Sequence, residues 1–110
     1  MRSWLFALAF LATACPSLHR SDEVDIAMVP ENLRADYAVF ADRCSKCHSL
    51  ARPLGSGIDD DEYWHRYVER MRAQPSSGIS LEDEEPILRF LHYYSEQQKA
   101  RKLHPDAGTL

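Results

Sequence analysis

Past its N-terminus the chain has no long apolar run, and nowhere does it repeat itself. A bundle of membrane-spanning helices and a repeat array are therefore not expected. Positive charge is also short. The 13 Lys and Arg stand against 17 Asp and Glu, a formal net charge of -4. Proteins that neutralise phosphates carry the opposite sign, so nucleic acid is not an expected partner. No stretch has a convincing strand pattern, which leaves helices and loops. Cysteine is scarce, with 3 in 110 residues. Two of them, Cys44 and Cys47, are so close that a disulfide between them would close almost no loop and stabilise little. The length is that of one domain.

The N-terminus reads as a processing segment. Met1-Arg2-Ser3 is a short positive start, Trp4 to Ala12 is apolar, and small residues precede Cys15. This is the layout of a secretory signal peptide over residues 1–14. The small residues suit cleavage after Ala14. The same stretch, Leu11 to Cys15, is similar to a bacterial lipobox, in which the cysteine becomes a lipid-bearing first residue. Exported proteins rarely keep an odd free thiol, and that favours lipidation at Cys15 over a soluble periplasmic form. Processing removes the charge of Arg2 and brings the formal charge to about -5. Residues 15–30 read as a polar tether, 31–98 as the folded domain, and 99–110 as a loose tail. About 70 ordered residues make a marginal core without a staple such as a disulfide, a metal or a cofactor.

The spacing predicts three main helices. Leu33, Tyr37, Phe40 and Cys44 share one face of the first, which begins near Pro30. A loop with Pro53, Gly55 and Gly57 follows. Asp59-Asp60-Asp61-Glu62 opens the second helix, with Trp64, Tyr67, Val68 and Met71 on one face and an end before Pro75. The third starts at Ser80 or Asp83, and Ile87, Leu88, Leu91 and Tyr94 form its apolar stripe. Pro86 sits awkwardly there, since proline prefers the first turn.

The end of the first helix carries Cys44-Ser45-Lys46-Cys47-His48. C-x-x-C-H is the attachment signature of c-type haem. Two thiols three residues apart reach the two vinyl groups of one porphyrin, and the adjacent imidazole reaches the iron. The other ring nitrogen of such a histidine is usually held by a carbonyl, and that of Pro53 is a candidate. A thioredoxin-type site would need a preceding strand, and zinc would need a second ligand pair where only the isolated His65 and His92 remain. The expected cofactor is one covalent haem c. For its sixth ligand the sequence offers Met71, 23 residues after His48, with His65, His92 or an open iron as alternatives. Met28 lies in the tether and is a poor candidate.

With these residues in place, the chain resembles the class I c-type cytochromes over residues 31–97. The resemblance rests on Phe40 four residues before Cys44, the CSKCH motif, a distal methionine, and a last helix with Leu91 and Tyr94. The Trp64, Val68, Met71 spacing is similar to that of small bacterial domains of this class. The resemblance implies an all-α cytochrome c-like fold of three main helices around the haem. It also implies a crossing of the first and last helices at Phe40, and a haem edge exposed for electron transfer. Many members have glycine four residues before the phenylalanine; here Asp36 stands, with Ala35 beside it. The implied function is single-electron transfer with redox partner proteins in the bacterial periplasm, not enzymatic turnover. A ligand-binding or sensory haem is the alternative if the sixth ligand is displaceable or absent. Arg43, Lys46 and Arg52 flank the motif, and the acidic runs 59–62 and 82–85 open other helices; these charges read first as helix caps and solvated surface, or else as a basic rim that meets an acidic partner.

Overall fold

A computed structural model describes residues 24–108 of the chain. The expected leader, residues 1–14, and Cys15 lie outside the described residues. Among these there is no strand, and the fold is all-α. Helix α1 spans Arg34–Cys44, α2 Ala51–Leu54, α3 Asp61–Arg72 and α4 Leu81–Leu103. The three main helices are the predicted ones. The added α2 stands in the segment read as a loop. Its first N–H donates to the Ser49 hydroxyl at 3.0 Å. It stops at Gly55, where a Cβ would meet the Ala51 carbonyl oxygen at 2.7 Å.

Side chains start the longer helices. The Asp60 carboxylate accepts from the Tyr63 N–H at 2.8 Å. At α4 the Ser80 hydroxyl accepts from the Asp83 N–H at 3.2 Å, and the Asp83 carboxylate accepts from the Ser80 N–H at 2.8 Å. This reciprocal box satisfies two donors that the helix leaves open. Pro86 consequently lies inside α4, beyond its first turn, and leaves one helical hydrogen bond unmade.

Two domain boundaries differ from expectation. Residues 24–30 are not a free tether. Val29 is buried, and the carbonyls of Val24, Met28 and Val29 accept from Tyr37, Tyr93 and Arg34. Nor does the tail begin at Lys99. α4 continues to Leu103, because no breaker precedes Pro105 and Arg101 and Lys102 suit the negative end of the helix.

α1 and α4 cross at the core. The Phe40 and Phe90 rings lie 4.9 Å apart, and Tyr37 joins Phe90 at 5.1 Å. Ile87, Leu91, Trp64 and Val68 complete the core. Asp36 is buried beside the crossing and holds Arg89 of α4 with both carboxylate oxygens, at 2.9 and 2.8 Å. Ala35 is exposed and takes no part in the crossing. α3 is stitched to α4 by the Trp64 indole N–H, which donates to the buried Ser95 hydroxyl at 2.7 Å.

Candidate functional site

The apolar face of α1 ends in Cys44, which is half-buried. The chain then turns, leaving Cys47 exposed and His48 half-buried. Leu50 and Pro53 are buried, and the Tyr94 hydroxyl donates to the Leu54 carbonyl at 2.9 Å. These contacts fix the motif segment against α4. α3 forms the facing wall, with Tyr67 and Met71 one turn apart. Between the walls lies a cavity of about 720 Å³. Cys44, Cys47, His48 and Met71 all line it. Its size is within the range of cofactor pockets.

The other candidate ligands lie elsewhere. His65 and His92 line a separate groove, where the His92 Nδ1 meets the Asp61 carboxylate at 2.9 Å. Met28 is exposed and does not line the cavity. The Nδ1 of His48 donates to the Ser49 carbonyl at 3.1 Å, which leaves Nε2 as its acceptor nitrogen. The carbonyl of Pro53, the candidate partner from sequence, accepts instead from the Ser56 hydroxyl at 2.7 Å. That hydroxyl is only three residues away, so a local turn takes the carbonyl first.

Cys44 and Cys47 are free thiols. Burial pushes the Cys44 thiol up to about 11. It also sits at the C-terminal end of α1, where the helix dipole disfavours an anion. A redox-active dithiol needs the opposite environment, with its thiolate stabilised. Among the described residues no three His, Cys, Asp or Glu side chains converge on a metal ion. A zinc site requires such a group; a haem iron takes four nitrogens from its ring and at most two donors from the protein.

Arg43, Arg52 and Arg70 line the cavity, and among the described residues no carboxylate does. Arg43 is engaged with Asp83 at 3.0 Å and Asp42 at 3.5 Å. Arg70 lies over the Tyr67 ring, 5.6 Å from its centre. The Tyr67 hydroxyl is buried and has no hydrogen-bond partner among the described residues. Burial, with Cys44 adding to it, raises its pKa and keeps it a neutral donor. Sequence reasoning took Tyr67 for a core residue. Its place one turn before Met71 put it on the right face, but the missing partner of its hydroxyl is a tertiary property.

These residues fit a haem. Ile58, Ile79 and Met71 offer apolar contact to the macrocycle. Two thiols match its vinyl groups, and an imidazole and a thioether match its iron. Two arginines and an unpartnered hydroxyl match its carboxylates. The protein-family models, the curated proteins and the solved structures were all searched, and none matches this chain.

Proposed function

We propose that this protein is a carrier of single electrons in the bacterial periplasm, with a cytochrome c-like fold and one haem c joined to Cys44 and Cys47. His48 and Met71 would hold its iron. One observation carries the reading: Cys44, Cys47 and His48 of the motif line one cavity with Met71, 23 residues further on. His65 and His92 do not reach it.

Bound there, the haem supplies one-electron exchange between ferrous and ferric iron. The protein does the rest. Cys44 and Cys47 hold the ring against α1 and the turn. His48, oriented through Ser49, presents Nε2. Met71 would supply a second donor to the iron, and an iron so held would favour electron transfer over ligand binding. Arg52, Arg70 and Tyr67 offer partners to the carboxylates. With Arg43 tied to Asp83, the rim presents Lys46, Arg52 and Arg70 to an acidic redox partner.

Pyridine haemochrome analysis of the exported protein tests the cofactor, and absence of covalent haem sinks the proposal. Met71→Ala tests the ligand. The ferric spectrum is expected to change and the ferrous protein to gain rapid carbon monoxide binding. An unchanged spectrum excludes Met71. Rapid, complete carbon monoxide binding by the unaltered protein favours the sensory reading instead. Electron exchange with an acidic partner is expected to slow as salt rises.

A further inference from the structure

The two walls of the cavity belong to different helices. The motif begins at the end of α1, and Met71 stands near the end of α3. Both helices pack on α4, so α4 joins the walls. Over its middle it does this through buried side chains. Phe90 meets Phe40 of α1 at 4.9 Å, and Ser95 accepts from the Trp64 indole of α3 at 2.7 Å. At its first turn it does so by charge. Asp83 Oδ2 lies 3.0 Å from Arg43 Nε, and Glu84 Oε2 lies 3.2 Å from Arg72 Nε. Arg43 is the residue before Cys44, and Arg72 is the residue after Met71. Two consecutive carboxylates thus grip both walls, each beside a residue of the proposed haem site. Neither carboxylate lines the cavity. Their side chains keep only 13 % and 22 % of their exposure, against 82 % for Glu85 next along. Pairs shielded in this way are screened less than pairs in open water. The Arg72 Nε–H has no hydrogen-bond partner among the described residues, so its link to Glu84 is one of charge at close range.

We infer that Asp83 and Glu84 are positioning residues: they set the separation of the two cavity walls, and Glu84, through Arg72, holds the end of α3 and Met71 with it against the motif. The inference deepens the proposed electron-carrier reading and rests on it for what is positioned. A donor that can move away from the iron spends part of its time off it, and that fraction depends on how firmly its helix is held. Asp83 also belongs to the capping box of α4, so replacing it disturbs the helix itself. Glu84 lies outside the box and serves the test.

The test measures carbon monoxide binding to the ferrous, haem-loaded protein, whose rate follows the fraction of molecules with Met71 off the iron. Glu84→Gln and Arg72→Gln are each expected to bind about threefold to fivefold faster, the effect of losing one partly shielded ion pair. The double variant is expected to match the singles, because both changes remove the same interaction. Glu96→Gln breaks the pair with Lys99 further along α4 and is expected to bind at the unaltered rate. Rates unchanged in both singles overturn the inference. So does a double variant whose effect is the product of the two, or a rise that merely tracks the fall in melting temperature across all four variants. Haemochrome analysis of each sample separates this inference from the earlier reading. An unaltered protein without haem removes both, whereas haem in place with unchanged rates removes this one alone.

Discussion

The Tyr67 hydroxyl is buried among cavity-lining residues and has no hydrogen-bond partner among the described residues. Native proteins rarely leave such a group alone, because its desolvation is uncompensated. In the haem-loaded protein, Tyr67→Phe is expected to lose about 0.5–1.5 kcal/mol, the net worth of one hydrogen bond. Equal unfolding midpoints for the two proteins would show that the hydroxyl makes no bond to the bound group. Asp83 is a second residue set by its surroundings. The Ser80 backbone N–H, then the Ser80 hydroxyl and Arg43, hold its carboxyl below the usual range. A carboxyl depressed in the folded state adds stability above its unfolded pKa and loses it as pH falls through the folded value. The stability advantage over Asp83→Asn is therefore expected at neutral pH and to fade below roughly pH 4. Circular dichroism melts across the acid range measure it; an advantage independent of pH would contradict it. Ser80→Ala removes the other half of the box and is expected to cost about 1 kcal/mol.

Between elements, the α1–α4 crossing organises the fold. Phe40 and Phe90 are both fully buried at 0 % exposure, and Phe40→Ala is expected to cost about 3–5 kcal/mol in denaturant unfolding. A loss under about 1 kcal/mol would mean that this crossing is not central to the core. The helices themselves were legible. Apolar residues at helical spacing, an acidic cap and a start at Ser80 or Asp83 predicted α1, α3 and α4. The stripe on α4 was less so. Phe90 is absent from that stripe, and it is the residue on which α1 packs. Asp36 was harder still. As a sequence feature it is a charge on a helix that ought to be polar on that side. Only Arg89, 53 residues on, makes its burial intelligible. Short-range patterns report which face is apolar, while a pair so distant in sequence is invisible until the helices meet.

At the scale of the molecule, the cavity bears on folding as well as on function. The cavity of about 720 Å³ opens to solvent, so an apolar group bound there would remove the lining from water and add to the core. Cys44→Ala with Cys47→Ala, which cannot attach haem, is expected to retain helical circular dichroism and to lose a cooperative melt. A sharp melt in that variant, equal to the loaded protein's, would show that the cofactor is no part of the core. The chain by itself determined the all-α class, the CSKCH motif with its implied haem, and the choice of Met71 as first candidate for the facing side. Those follow from periodicity and from donor chemistry, which are local. Only the tertiary structure decided that Met71 lines the motif's cavity while His65 and His92 line another groove. It also decided that Ser49 holds His48 and that residues 24–30 belong to the fold. Each of these depends on which face of one helix meets another, and the packing of the whole core sets that.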